Sequence, residues 1–97
     1  MHRICEAICE RRRLTFEYNG HPRVVEPYCH GTNASGSELL RAVQVAGSSS
    51  SGALGRSGKL WFVARMTHVR TSDDTFVPGD PHYNPDDSAI PIVHCRI

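Results

Sequence analysis

The sequence predicts a mainly β fold: an N-terminal helix followed by a small, strongly bent five-stranded β-barrel. Three observations predict it. Leu14, Phe16 and Tyr18 alternate with Thr15, Glu17 and Asn19, the period of two expected of a half-buried strand, and similar alternation returns in later runs. Asn19-Gly20 closes the first run, and this dipeptide is the strongest short-range hairpin signal because a type I′ turn needs positive φ at both central residues. Helical spacing is confined to the N-terminus.

His2 to Arg12 reads as that helix. Ile4, Ala7 and Ile8 share one face, Cys5 and Cys9 flank it, and Glu6 and Glu10 lie on the other side. Arg11, Arg12 and Arg13 follow, where cations complement the negative end of the helix dipole; they are either this solvated end or an anion-contacting patch. The hairpin runs from Arg13 to Gly31. Val24 and Val25 resume the extended chain, and Pro27 keeps Glu26 out of the α region. A polar turn from Gly31 to Gly36 leads into a third strand, Ser37 to Ala46. There Leu39, Arg41, Val43 and Val45 form one file, and Leu40, Ala42 and Gln44 the other. An inward charge is costly unless paired, so Arg41 either lies on the outer face or lines a polar pocket.

Gly47 to Gly58 is Gly/Ser-rich and is expected to be a mobile loop. Lys59 to Val69 returns to strand, with Trp61, Val63 and Arg65 alternating with Leu60, Phe62, Ala64 and Met66. Both files are largely apolar, which predicts a central strand curved to close the barrel. His68 to Phe76 holds another short strand, with a turn at Ser72-Asp73-Asp74. Val77 to Asp87 has no periodicity and reads as an irregular excursion. Ile90 to Ile97 is a final edge strand, since Pro91 argues against a central place. Residues 1–97 form one domain: helix about 2–12, barrel about 13–76, irregular tail and edge strand 77–97.

A chain of this length buries roughly 60–65% of its unfolded surface, enough for one modest core. Lys+Arg number 11 and Asp+Glu 10, a net charge of +1, so no global field draws it to nucleic acid or an anionic membrane. The cations are nearly all arginine, however, with Lys59 the one lysine, and a guanidinium offers a planar fork for phosphate or carboxylate. No apolar run approaches the roughly 20 residues of a membrane span. The N-terminus lacks the apolar stretch of a signal peptide. A cytoplasmic location is therefore expected, with the four cysteines as reduced thiols.

The Cys/His set comprises Cys5-x3-Cys9 and the adjacent pairs Cys29-His30 and His94-Cys95. Zinc knuckle spacing is missing, and alternation sends strand neighbours to opposite faces, so neither a metal site nor a cofactor is expected. There is no G-x-S-x-G elbow and no paired-carboxylate spacing. The glycine-rich GSSSSGALGRSGK fails the phosphate-loop pattern because Leu60 follows Lys59. No catalytic residues are assigned, and the chain is read as a non-enzyme. Tyr18, Tyr28, Trp61 and Tyr83 are either core residues or platforms for stacking bases.

The order of these motifs resembles the WYL-domain family, as a short stand-alone member. Glu6-Ala7-Ile8 and Leu14-x-Phe16-x-Tyr18 resemble its opening helix and strand, and Arg23-Val24-Val25-Glu26-Pro27-Tyr28 its R-x-x-E-P element. Leu40-Arg41-Ala42-Val43-Gln44 aligns with the naming strand, Leu60-Trp61-Phe62-x-x-Arg65-Met66 with the strand after it, and Asp74-Thr75-Phe76 with its sequel. Tyr83-Asn84-Pro85-x-Asp87 looks like a tail of single-domain members. Glu38-Leu39-Leu40 stands where Trp-Tyr-Leu would, and Ala64 replaces an Asp.

The resemblance implies an SH3/Sm-like barrel that senses an anionic ligand, a nucleotide or nucleic acid, without catalysis. It further implies signalling to an effector or transcription-regulator protein, here in trans, of the kind found in bacterial and phage regulators. The matching ligand residues are Arg23, Arg41 and Arg65 on three strands, converging on one pocket with His68 or Tyr18 at its rim. The competing expectation is that each arginine pairs with a nearby Glu17, Glu26 or Glu38. A different class of function is an interaction module that forms a homodimer through strand edges.

Overall fold

A computed structural model describes residues 2–47, 58–80 and 83–97. Residues 48–57, the bulk of the Gly/Ser-rich stretch expected as a mobile loop, lie outside the described residues. The elements are α1 (His2–Glu10), β1 (Arg12–Tyr18), β2 (His21–Thr32), β3 (Glu38–Gly47), β4 (Lys59–Phe62), a 3-10 turn η1 (Val63–Arg65), β5 (Met66–Thr75) and β6 (Ile92–Arg96). All pairings are antiparallel, in the order β4-β3-β2-β1-β5 with β6 also on β2.

The hairpin forms as its sequence dictates. Asn19 and Gly20 take φ of 53° and 78°, and Tyr18 faces His21 across the turn. The helix stops at Glu10, two residues short of the expectation, because Arg11 enters the left-handed region at φ 57°. There its backbone N–H and its guanidinium both donate to the Ile8 carbonyl, at 3.3 and 2.7 Å. A left-handed residue with backbone capping is a regular helix stop, and arginine in place of glycine hides it from the sequence.

β2 is the hub. Arg23 to Thr32 pair with β3, the first half of the strand (His21 to Val25) with β1, and its second half (Cys29 to Thr32) with β6. Alternation along β3 separates two apolar faces. Leu40 and Ala42 join Ile4, Ala7 and Ile8 of α1, together with Leu14, Phe16, Tyr18, Val25, Trp61 and Met66. Leu39 and Val43 instead pack under the irregular C-terminal segment, with Ile90 and Phe76 respectively. Tyr28 fixes that segment, its hydroxyl accepting the N–H groups of Gly79 and Asp80 at 3.0 and 3.1 Å.

Two expectations are corrected. Six strands form where five were expected, and the sheet is not closed, since β4 and β5 end the path without pairing. The sheet is nevertheless strongly curled. Five flat strands would hold their outer members about 19 Å apart. The chain from Phe62 to Met66 spans at most about 14 Å, so the outer strands are drawn round toward each other. The predicted continuous strand from Lys59 to Val69 is broken at η1 to make that corner.

The cysteines also depart from the reading as reduced thiols. Cys5 of α1 and Cys95 of β6 form a disulfide with Cα atoms 5.7 Å apart; Cys9 is exposed and Cys29 buried, both free. A sequence separation of 90 and no characteristic spacing left the pairing illegible. Among the described residues no helix is long and apolar enough to cross a membrane.

Candidate functional site

Tyr18 ends β1, and two of the three arginines assemble on it. The Arg23 guanidinium carbon lies 5.8 Å from the Tyr18 ring centre and 5.5 Å from that of Trp61. Arg65, carried up by η1, lies 5.2 Å from the same Tyr18 ring. They differ in availability. Arg23 is 4% exposed and donates to the Tyr18 carbonyl at 3.0 Å and Gln44 Oε1 at 3.2 Å, so it is bound into the core by aromatic faces and neutral acceptors. Arg65 is exposed, held loosely by Asn19 Oδ1 at 2.7 Å.

Arg41 does not join them, and the three-arginine pocket is corrected accordingly. It leaves β3 on the opposite face from Tyr18 and makes a forked pair with Asp87, Nε to Oδ2 at 2.7 Å and Nη2 to Oδ1 at 3.2 Å, with a third bond to the Gly58 carbonyl. The guanidinium holds the Asp87 carboxyl below its usual range, helped by the Ala89 N–H and opposed by burial. The competing expectation of nearby glutamates fails as well. Glu26 pairs with Arg13 at 3.1 Å, Glu38 with His30 at 2.6 Å and Glu17 with His68 at 3.5 Å.

His68 points to a groove that the sequence did not reveal. At φ 54° it interrupts the regular course of β5, beside the register shift of β5 on β1 between Thr15 and Glu17. The groove runs between α1 and β5, encloses about 680 Å³, and is lined by Arg3, Ile4, Val63, Met66, His68, Val69 and Arg70. Its floor is apolar. Arg3 and Arg70 supply fixed positive charge and His68 an imidazole that also faces the Glu17 carboxylate at 3.5 Å; among the described residues no carboxylate belongs to the lining itself. Arg3 reaches across to donate to the Val69 carbonyl at 2.7 Å, which holds its guanidinium over the opening. Such a lining suits a ligand with an anionic head and a flat or apolar body. The only sequence signal was arginine beside apolar residues; the helix docking that unites Arg3 with Arg70 is tertiary.

A second cluster lies at the junction of α1, β2 and β6. His30 is fully buried, its Nδ1 3.6 Å from Cys5 Sγ and 3.8 Å from Cys95 Sγ. Burial pushes the His30 imidazole below its usual range, although the hydrogen bond to Glu38 opposes the shift. Among the described residues these three side chains are the one set with metal-ligand proximity. Cys29, on the neighbouring face, is a free thiol whose pKa burial raises, with Asp87 adding to the effect.

The chain matches no known family model, no curated protein and no solved structure.

Proposed function

We propose that this chain is a non-catalytic sensing module that binds an anionic ligand, a nucleotide or a nucleic-acid end, in the groove between α1 and β5. The observation that carries the reading is the groove itself: Arg3, Arg70 and His68 around an apolar floor, the nearby Glu17 facing His68 from outside the described lining. Arg65, next in sequence to Met66 of that floor, lies outside the lining, over the Tyr18 ring and bonded to Asn19 at the hairpin turn. Of the expected residues, His68 alone lines this groove; Tyr18 and Arg65 lie beside it, Arg23 belongs to the core, and Arg41 is left out. The buried, acid-weakened thiol of Cys29 is a poor nucleophile, in keeping with a binding role.

The WYL-like, SH3/Sm-type reading is kept as part of this proposal, supported by the N-terminal helix, the curled sheet and the 3-10 corner between the outer strands. In it, ligand occupancy is passed to an effector or transcription regulator supplied as a separate protein.

The test is binding of a labelled short oligonucleotide and of a nucleoside triphosphate by fluorescence anisotropy and calorimetry. Arg3→Ala and Arg70→Ala are each expected to weaken binding about tenfold, the worth of one charge-assisted contact, and to flatten its salt dependence. Arg41→Ala should bind as the parent does. Binding that is absent in the parent, or indifferent to Arg3 and Arg70, overturns the proposal.

One observation favours the interaction reading. β5 pairs only with β1 among the described residues, so its long outer edge is open, though Arg70, Asp73 and Asp74 on it discourage indiscriminate pairing. A ligand-independent dimer in light scattering, without salt-sensitive binding, would favour it.

A further inference from the structure

We propose that Cys5, His30 and Cys95 form a redox-gated metal site, which takes one zinc-class divalent ion through two thiolates and the His30 Nδ1 once the disulfide is reduced. The ligands come from three elements, α1, β2 and β6, and one of them is wholly buried. A tetrahedral zinc with bonds of about 2.3 Å to sulfur and 2.0–2.1 Å to nitrogen sets sulfur and nitrogen about 3.6 Å apart. The two nitrogen–sulfur edges stand at 3.6 and 3.8 Å. After reduction the sulfurs need only part by side-chain rotation to complete the face.

The orientation of His30 is the independent observation. Its Nε2 lies 2.6 Å from Glu38 Oε2. An ionised carboxylate only accepts, so the imidazole proton sits on Nε2 and Nδ1 carries the lone pair. That lone pair is aimed at two sulfurs which, joined as a disulfide, have no hydrogen to give. In the oxidised protein a buried acceptor therefore faces no donor, a costly arrangement. A metal ion satisfies it. The carboxylate–histidine–ligand relay is also the outer support that metal-binding histidines characteristically have. Cys5 and Cys95 are half-buried, and among the described residues no fourth side-chain ligand stands with the three.

The chemistry balances with a cellular dithiol as reductant. The Cys5–Cys95 sulfur bond breaks, the dithiol closes to its own disulfide, and its two electrons and two protons leave Cys5 and Cys95 as thiols. Metal binding then releases those two protons as both sulfurs coordinate. Either state fastens α1 to β6, by a covalent bond or through an ion.

The experiment uses the full chain, reduced with a phosphine under anaerobic conditions and titrated with Co²⁺ as a spectroscopic stand-in for Zn²⁺. One equivalent is expected to bind with thiolate-to-cobalt charge-transfer absorption, to be displaced by Zn²⁺, and to be refused by the oxidised protein. Cys95→Ser should lose the charge-transfer signal or weaken binding at least tenfold. Glu38→Gln keeps both thiols and alters a half-exposed side chain, so it is the variant least prone to misfold; a loss of about 10–100-fold is expected there. Cys9→Ser should bind as the parent does. No cobalt binding by the reduced parent, full affinity in Glu38→Gln, or a loss in Cys9→Ser each overturns the proposal.

Discussion

Arg23 and Arg41 show two ways in which a sheet houses a guanidinium. Arg23 is enclosed by Tyr18 and Trp61 and donates to neutral oxygens, leaving its Nε without a partner. Truncation there opens a cavity and strips two acceptors. Arg23→Ala is expected to cost about 2–4 kcal/mol in urea unfolding. Arg65→Ala, on the same tyrosine but in solvent, should cost no more than about 1 kcal/mol; equal losses would show that Arg23 is not the core residue described. Asp87 carries the second case. Its folded-state pKa is depressed, so the stabilisation is fully present above the unfolded value near 3.8 and disappears as pH falls through the folded one. Asp87→Asn should therefore cost about 1.5–3 kcal/mol at neutral pH, and the difference from the parent should close in acid below about pH 4. The sequence marked Arg41 and Arg65 as cations in apolar files, but Asp87 stood only at the end of an irregular excursion. Its Oδ1 accepts the Ala89 N–H at 3.0 Å, a local turn contact, and the same carboxylate also reaches an arginine 46 residues away. Only the fold discloses that second role.

Among the elements, those with short-range causes were legible. The Asn19-Gly20 hairpin, the alternating β3 and the apolar face of α1 follow from turn geometry and periodicity, and all stand where they were expected. The corner at η1 was not legible, because Lys59 to Val69 alternates without a turn residue and the break is imposed by curling the sheet. β5 continues from Met66 to Thr75, and the expected turn at Ser72-Asp73-Asp74 survives within it as a register shift against β1 between Arg12 and Leu14, where Ser72 Oγ accepts the Asp74 N–H at 3.0 Å. β6 depends on Gly31 of β2. A Cβ at that position would collide with the Ile92 carbonyl and the Ile90 side chain. Gly31→Val is expected to cost roughly 1–3 kcal/mol and to release β6 first. Hydrogen exchange should then show the amides of Val93 and Cys95 losing protection while those of β1 keep theirs.

For the molecule as a whole, the link from α1 to β6 is the dominant constraint on the unfolded chain. Joining positions 90 residues apart removes loop-closure freedom worth roughly 4–5 kcal/mol in the chain-entropy account. Reduction in the presence of a chelator should lower the melting temperature by at least about 10 °C, read by circular dichroism. An unchanged midpoint would mean that the reduced chain is held equally well by packing of α1 alone. The groove was illegible for the same reason as this link: Arg3 and Arg70 become neighbours only after the first helix settles against the fifth strand.

The placement of that bond has a mechanical corollary. A pull applied to the backbone before residue 5 and after residue 95 travels through two sulfur atoms and bypasses every strand between them. Under oxidising conditions the domain would act in a force-extension experiment as an inextensible bead, showing no unfolding peak until the covalent link itself gives way. With the sulfurs reduced, the same tension falls on the edge where β6 meets β2, and the sheet would unzip from there.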